Sequence, residues 1–363
     1  MPLLRDLGRL VPILSLLTGP VLAQTAPPPA TVQAPAFVLP FSNFASPEAR
    51  ALADRQMREP PFVFGTDIAK ARDHYGRYND DRLAEMRARY STREVRGTLG
   101  GVPVDIVTPA EGIPETNAER VLINVHGGAW MWGSGSGALV EAIPIAAVGR
   151  IRVVAVDYRL APEHRYPAAS EDVAAVYREL LKTHRPENIG LYGCSAGGVV
   201  VAQATAWFQT HDLPTPGAIG TFCGTGSGYG GDSLFLGQLA TGAPVPPPTA
   251  ADAIGIPNPY MEGVPLTDPQ AYPATDGAIL ARFPPTLLLA GGRDFAVSAL
   301  TSMHRRLAAA GVESDLYLFD GLGHAFFVWA ELPESGEAFG LITAFFDKHL
   351  GAPTAQPAPL PGS

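Results

Sequence analysis

The stretch IGLYGCSAGGVVVAQA, residues 189–204, is apolar on both sides of six consecutive small residues at positions 193–198. Its first part predicts a buried strand and its second part a buried helix, with almost no connection between them. Because glycine is costly to order and small residues bury little surface, this junction must require a tight turn. The letters GCSAG, residues 193–197, fit the pattern G-x-S-x-G, in which a sharp strand-to-helix turn exposes a serine hydroxyl at the edge of a sheet. The stretch therefore predicts a strand–turn–helix unit that presents Ser195 as a nucleophile.

Further apolar segments of strand length lie on both sides of this unit and alternate with amphipathic helices. Most are apolar at consecutive positions, as expected for strands that are covered on both faces. The intervening pattern SEDVAAVYRELLKTH predicts a helix capped by Ser170. The alternation predicts an α/β fold with a mostly parallel central sheet of about eight strands and helices on both faces. The alternation starts at VPVDIVTP, and the strand candidates are RVLINVHGG, RIRVVAVDYR, NIGLYGCS, GAIGTFCG, PPTLLLAGGRD and SDLYLFDG.

A serine nucleophile needs a base, and the base needs an acid that orients it. In folds built around this turn, the partners follow in the order serine, acid, histidine. The strand in PPTLLLAGGRD ends just before Asp294, and the strand in SDLYLFDG ends just before His324. We therefore predict Ser195, Asp294 and His324 as a catalytic triad. Asp320 is a rival acid, but its position in the turn before His324 favours a role in shaping that loop.

An acyl-transfer site also needs N–H donors for the oxyanion of its tetrahedral intermediate. The segment INVHGGAWMWGS places His126, Gly127, Gly128 and Ala129 directly after a predicted strand. Glycines let such a loop present its N–H groups to an acyl oxygen, and the N–H of Ala196 supplies another donor. We predict Gly127, Gly128, Ala129 and Ala196 as the oxyanion hole, with His126 bracing the loop.

Together, the segments HGGAW, DYRLAPEHRYPAASEDV, GCSAGG, GGRD and GLGHAF resemble the hormone-sensitive-lipase-like family of α/β hydrolases, the bacterial esterase family IV. The resemblance covers about residues 98–350. It implies the α/β-hydrolase fold, hydrolysis of carboxylic esters, no metal or organic cofactor, and a cap formed partly by N-terminal helices. It also implies that Ser195 is the nucleophile, His324 the base and Asp294 its orienter.

Two positions depart from the pattern of that family. Most members have a third glycine where this chain has Ala129, a change that keeps the backbone N–H. The residue before the serine is usually Asp or Thr, and here it is Cys194. The natural substrate therefore stays open.

The function predicted from these features is hydrolysis of short-acyl or small esters through an acyl-enzyme. Several aromatic residues near the catalytic loops are predicted to bind the substrate, although some of them are expected to belong to the core. They are Trp130, Trp132, Phe295 and Phe326. A lactone hydrolase is an alternative, because the same chemistry opens cyclic esters. A non-catalytic ligand-binding protein on a hydrolase scaffold is a further alternative, because a fold alone does not settle function.

The N-terminal residues predict export to the periplasm or the outside. Arg5 and Arg9 precede an apolar stretch, and VLA at positions 21–23 is a small-residue cleavage pattern. Together these features predict a signal peptide at residues 1–23. The apolar stretch is short for a membrane span, so no stable span is expected in the mature chain. The further predicted segments are a Pro/Ala linker at 24–35, a helical cap segment at 36–98, the catalytic domain at 99–350 with a loop or cap excursion at 224–283, and a loose tail at 351–363.

The composition limits the choice of partners. The 363 residues are 46% hydrophobic and 17% charged, which is typical of a packed globular protein. A formal net charge of -9 offers no basic face, so nucleic acid is not an expected partner. Cys194 and Cys223 are the only cysteines, and whether they pair stays open, but they cannot build a tetrahedral Cys/His metal centre. A homodimer is compatible with the sequence, which does not decide the oligomeric state.

Overall fold

The computed structural model describes residues 38–59, 62, 67–241 and 258–351. Contacts divide the chain into the unit Phe41–Ser363 and an N-terminal unit Met1–Pro40, of which only residues 38–40 are described. The predicted signal peptide at 1–23 and the predicted linker at 24–35 lie outside the described residues. The same is true of positions 242–257 of the predicted excursion and of the predicted tail beyond residue 351.

The apolar segments of the sequence form one eight-stranded sheet. Its strands are β1 (Thr92–Leu99), β2 (Val102–Pro109), β3 (Val121–Val125), β4 (Arg152–Val156), β5 (Ile189–Cys194), β6 (Ala218–Phe222), β7 (Thr286–Gly291) and β8 (Ser314–Phe319). They are hydrogen-bonded in the order β1-β2-β4-β3-β5-β6-β7-β8. β2 is antiparallel to β1 and β4, and the pairings among β3 to β8 are parallel. The predicted α/β fold with its mostly parallel sheet is thereby confirmed.

Helices follow the strands along the described residues. They are α1 (Pro47–Arg58), α2 (Ile68–Arg89), α3 (Ser136–Gly149), α4 (Ala168–Leu180), α5 (Ala196–Phe208), α6 (Asp232–Thr241), α7 (Gly277–Leu280), α8 (Val297–Ala309) and α9 (Pro333–His349). Short 3-10 turns lie at Glu115–Asn117, Pro186–Asn188, Pro273–Thr275 and Phe326–Val328. None of the helices in the part of the chain that is described has the length and apolar character needed to cross a membrane.

The centre of the sheet is the core of the molecule. Every residue of β3, β5 and β7 is buried, because helices cover both faces of the parallel strands. By contrast, β1 is an edge strand whose residues alternate between partly buried and exposed, with few apolar side chains. The segment of β1, TREVRGTL, lacks the apolar run of a central strand, so its sequence pattern does not predict a strand.

Polar contacts hold the two N-terminal helices to the rest of the fold, the start of α1 to helix α9 and α2 to the loops after β3 and β4. Ser46 caps α1 as its sequence suggests, and its backbone N–H donates to the Glu334 carboxylate at 2.7 Å. In α2, the Arg72 guanidinium forms a two-point ion pair with Glu163 at 2.8 and 2.7 Å. It also donates to the backbone oxygen of Met131 at 2.8 Å. Arg72 therefore ties α2 to the segment that contains the predicted oxyanion loop.

Candidate active site

Ser195 lies at the sharp turn between β5 and α5. Its backbone has φ +57° and ψ −124°, a conformation that non-glycine residues rarely adopt. A Cβ at Gly193 or at Gly197 would collide with the backbone oxygen of Val125 on the neighbouring strand β3. The glycines around the serine are therefore required sterically, and the turn places Ser195 at the carboxyl end of the central strand.

Asp294 and His324 meet at the carboxyl ends of β7 and β8. The Nδ1 atom of His324 lies 2.9 Å from Oδ1 and 3.0 Å from Oδ2 of Asp294. Because an ionised carboxylate only accepts hydrogen bonds, Nδ1 carries the proton and Nε2 keeps its lone pair. Asp294 is 1% exposed and also accepts the backbone N–H of Ala296 at 2.9 Å. The ring of Phe295 stacks on the His324 imidazole with centroids 4.5 Å apart. The imidazole is therefore held in one orientation and one tautomer.

Ser195 and His324 line the same cavity, which has a volume of about 230 Å³. Both residues are described, and the structure forms no hydrogen bond between their side chains; the Ser195 hydroxyl interacts instead with the hydroxyl of Tyr229. In ligand-free active sites, the hydrogen bonds of the reacting groups are often long or misaligned and tighten only in the complex. The two groups thus share one chamber without a direct hydrogen bond between them.

The loop after β3 supplies backbone donors on the opposite side of the cavity. Within the described part of the chain, the N–H groups of Gly128, Ala129 and Ala196 donate no hydrogen bond, and Gly128 and Ala129 line the cavity. Gly127 differs from the prediction, because its N–H donates to the Glu141 carboxylate at 2.9 Å and is already satisfied. The free donors are therefore those of Gly128, Ala129 and Ala196.

His126 braces this loop from below. It is fully buried, its Nδ1 bonds to the backbone oxygen of Gly127 at 2.7 Å, and its ring stacks on Tyr158 at 4.3 Å. Burial lowers the pKa of His126, which keeps the ring neutral. The expected bracing position of His126 matches this geometry.

The aromatic residues predicted to bind substrate divide into three groups. Trp132 and Phe295 line the cavity that contains Ser195. Trp130 does not line it, because its ring is buried against Tyr260 in a stack with centroids 5.6 Å apart. Phe326 lies in a second cavity of about 150 Å³ on the other side of His324, next to α1.

Helix α2 contributes three cavity residues that were not predicted from the sequence, namely Tyr75, Tyr78 and Asn79. Tyr75 and Tyr78 line the cavity, and Tyr75 stacks on Trp132 with centroids 4.5 Å apart and rings nearly parallel. Both lie on one face of a mostly polar helix. The predicted cap segment at 36–98 includes this helix, and the spacing of three residues between the tyrosines was an available signal, but no sequence pattern indicated which side chains of the helix would face the cavity.

The two cysteines flank the catalytic loops as free, buried thiols. Burial raises the pKa of Cys223 to about 11, and burial likewise raises the pKa of Cys194. Since the thiolate is the reactive form of cysteine, both side chains act as small core residues at neutral pH. The rival acid Asp320 accepts a hydrogen bond from the Ser42 hydroxyl, and its carboxylate makes no contact with His324 within the described residues.

Comparisons with known proteins agree with this architecture. A family profile described as the alpha/beta hydrolase fold matches residues 122–328, which is more than half of the chain. The chain therefore belongs to the alpha/beta hydrolase fold family. A relative from Mycobacterium tuberculosis, LipR, which is named as an acetyl-hydrolase, is 27% identical over 281 residues, or 76% of this chain and 86% of the relative.

Two solved structures place the chain within the family more closely. The crystal structure of the esterase E25 superposes with a TM-score of 0.75 at 27% identity, over 88% of this chain and 99% of that chain. An esterase from the bacterial hormone-sensitive lipase family superposes with a TM-score of 0.68 at 27% identity, over 84% of this chain and 99% of that one. The resemblance to hormone-sensitive-lipase-like α/β hydrolases is thereby confirmed.

Proposed function

We propose that this protein hydrolyses carboxylic esters through an acyl-enzyme formed on Ser195. The observation that carries the proposal is the convergence of three features on one cavity: an elbow serine, an imidazole oriented by a buried carboxylate, and a loop with free N–H donors. The relatives named as an acetyl-hydrolase and as esterases support the same reaction class.

In the first half of the reaction, the Ser195 oxygen attacks the carbonyl carbon of the ester while Nε2 of His324 takes the hydroxyl proton. Asp294 stabilises the imidazolium that forms. The negative charge on the carbonyl oxygen is received by the N–H groups of Gly128, Ala129 and Ala196.

In the second half, the tetrahedral intermediate collapses and the alcohol leaves with the proton from His324. The acyl group then remains on Ser195. A water molecule that gives its proton to His324 attacks the acyl carbon. The second tetrahedral intermediate collapses, His324 returns the proton to the Ser195 oxygen, and the carboxylic acid is released. The residues at the site supply nucleophile, base and oxyanion donors for this sequence.

The size of the cavity favours short acyl groups. Its volume of about 230 Å³ is below the range of about 300–1,000 Å³ that is typical of pockets for drug-sized ligands. Tyr75, Trp132 and Phe295 give it apolar walls, which suit a small alkyl or acetyl group. We therefore propose small acyl esters as the substrate class.

The test is turnover of p-nitrophenyl butyrate by the wild type and by Ser195→Ala. The substitution should lower kcat by about 10⁵-fold or more, since removal of a serine nucleophile disables the whole catalytic unit. Ser227→Ala, which removes a hydroxyl bonded to the backbone oxygen of Ala299, is the matched control and should keep wild-type turnover. Covalent labelling by a fluorophosphonate should follow the same pattern. A wild type that neither turns over esters nor labels would contradict the proposal and favour a binding protein.

We also propose that the mature protein is exported after cleavage near residue 23, on the basis of the charged and apolar pattern of residues 1–23. Expression of the full chain in a host with a periplasm, followed by mass determination of the secreted or periplasmic product, tests this. A product that retains Met1 would contradict it.

A further inference from the structure

Glu141 is a buried carboxylate beneath the oxyanion loop. It belongs to α3, is 8% exposed, and lines the same cavity as Ser195. Its Oε1 accepts the N–H of Gly127 at 2.9 Å, and its Oε2 accepts Nδ2 of Asn124 at 3.1 Å. The backbone of Cys194 lies close enough to favour the ionised form of this carboxyl and so lowers its pKa. One side chain thus touches β3, the loop that follows it, and the last residue before the elbow serine.

This carboxylate has no cationic partner within the described part of the chain, where no Lys or Arg forms an ion pair with it. Burial is the largest influence on it and raises its pKa from 4.5 to about 7. The titratable groups that act on it or feel its charge are His324, Tyr158, Tyr192 and Cys194. A buried acid in a cleft without a counter-ion is costly to ionise, and such groups concentrate at functional sites.

The hydrogen bonds around Gly127 define what Glu141 does. The N–H of Gly127 is held by Glu141, and its C=O is held by Nδ1 of His126 at 2.7 Å. A peptide group is planar and trans, so fixing the C=O of Gly127 also fixes the direction of the Gly128 N–H in the same plane. A Cβ on Gly127 would lie 2.9 Å from the Cys194 oxygen and 3.3 Å from the Ser195 Cβ, which shows how closely this residue lies against the elbow.

We propose that Glu141, as a carboxylate, is a positioning residue that clamps Gly127 so that the Gly128 and Ala129 N–H groups face the oxyanion. The proposal rests on the ester-hydrolase function given above and adds a residue to it. Through these bonds Glu141 links the oxyanion loop to strand β3, while the thiol of Cys194 is free and buried.

Ionisation of Glu141 favours catalysis in a second way. Its charge interacts favourably with a protonated His324, the form that the base takes after it removes the serine proton. Protonation of Glu141 removes this charge and weakens its role as an acceptor for several donors. Activity therefore requires that Glu141 and His324 both be deprotonated in the free enzyme.

The experiment compares the wild-type protein with the variants Glu141→Gln and Glu141→Ala, all as full chains, in steady-state assays on p-nitrophenyl butyrate. The alanine variant leaves the Gly127 N–H without its acceptor, and kcat should fall about 100-fold, in line with losses seen when an oxyanion donor or its geometry is disturbed. The glutamine variant keeps an amide oxygen for Gly127, so a partial rescue to within about 10-fold of wild type is expected. KM should stay within about 3-fold in both variants, because the contact matters in the transition state.

The pH profile separates positioning from a merely structural role. Log kcat/KM of the wild type should fall with a slope approaching about two at the acid end, because two groups must lose protons, and the slope should drop to about one in Glu141→Gln. Asp172→Asn is the matched control: it alters another buried carboxylate, bonded to Arg159 at 2.9 Å and remote from the cavity, and should keep the wild-type slope.

Three results would overturn the proposal: wild-type kcat in Glu141→Ala, a loss confined to KM, or a slope of about one in the wild type that Glu141→Gln does not change. If circular dichroism shows that Glu141→Ala does not fold, the wild-type slope and the isosteric glutamine variant still decide. Absence of turnover in the wild type would instead refute the proposed function.

Discussion

His324 Nδ1 lies almost equally close to both carboxylate oxygens of Asp294, at 2.9 and 3.0 Å. The contact joins the loops after two neighbouring parallel strands, β7 and β8, and it is buried on the side of Asp294. An acid placed in this way fixes the tautomer of the imidazole and stabilises its protonated form. The relationship between these two residues therefore determines whether Ser195 has a usable base.

Asp294→Asn should lower kcat by about 10³- to 10⁴-fold, because an amide nitrogen at this position favours the wrong imidazole tautomer. The fold should persist, since the amide oxygen still accepts the Ala296 N–H that Asp294 accepts at 2.9 Å. The measurement is kcat on p-nitrophenyl butyrate, with circular dichroism as the check on folding. Asp320→Asn is the control, because that carboxylate bonds to Ser42 and not to His324. A larger loss in Asp320→Asn than in Asp294→Asn would assign the orienting acid to Asp320.

Gly197→Ala should destabilise the protein by at least about 3 kcal/mol, because the new Cβ meets backbone atoms that cannot move aside. The atoms are the backbone oxygens of Val125 and His126, the latter 2.7 Å from the position that the new methyl carbon would occupy. Urea denaturation followed by fluorescence measures the effect.

Gly340→Ala is the matched control for this substitution. Gly340 lies inside α9, and a Cβ there has no heavy atom within 4 Å. Alanine should stabilise the helix by about 0.5–1 kcal/mol, because it loses less backbone entropy on folding. Equal effects of the two substitutions would mean that the elbow relaxes around a side chain, which would weaken the steric account of its glycines.

The elements that sequence reasoning predicted correctly are those whose causes are local. The β5–elbow–α5 unit follows from the steric demand of one turn. Within the predicted helical segment at 36–98, the start of α1 is likewise set locally, by the Ser46 cap and Pro47. The prediction that a helix is capped by Ser170 is wrong. The helix begins at Ala168, because Pro167 ends the preceding segment, and Ser170 lies buried within the first turn.

The features that sequence reasoning missed depend on contacts between distant segments. The N–H of Gly127 is already bonded to the carboxylate of Glu141, a contact set by the packing of α3 against the loop. Trp130 was expected at the site but is taken up by its stack with Tyr260. Neither partner is adjacent in sequence, so no local pattern could have identified it.

The wall of the cavity formed by Trp132 should set the limit on acyl length. Its ring stacks on Tyr75 and lines the same chamber as Ser195. Trp132→Ala should raise the ratio of kcat/KM for octanoate over butyrate esters by about 10-fold, since each methylene accommodated in an apolar pocket is worth about 1–3 kcal/mol. The measurement is a series of p-nitrophenyl esters of graded length.

Trp207→Ala is the control for this prediction, because Trp207 stacks on His211 on the far side of α5 and does not line the cavity. Its ester preference should match that of the wild type. An unchanged preference in Trp132→Ala would indicate that the acyl group lies elsewhere, for instance in the cavity next to α1 that contains Phe326 and Trp329.

Glu141 should make the stability of the protein depend on pH with a defined sign. Burial raises its pKa from 4.5 to about 7, so the folded state binds a proton more tightly than the unfolded chain does. The stability that this carboxyl contributes is complete below pH 4.5 and is lost as pH rises through about 7. The glutamine of Glu141→Gln does not titrate. The free energy of unfolding of this variant minus that of the wild type should therefore increase between pH 4.5 and about 7, by up to about 3 kcal/mol. Urea denaturation on either side of the interval measures the difference, and Gly340→Ala, which changes no titrating group, should give the same shift at both pH values. A difference that shrinks as pH rises would mean that the fold stabilises the charged carboxylate. Ionisation of Glu141, which activity requires, would in that case not destabilise the fold.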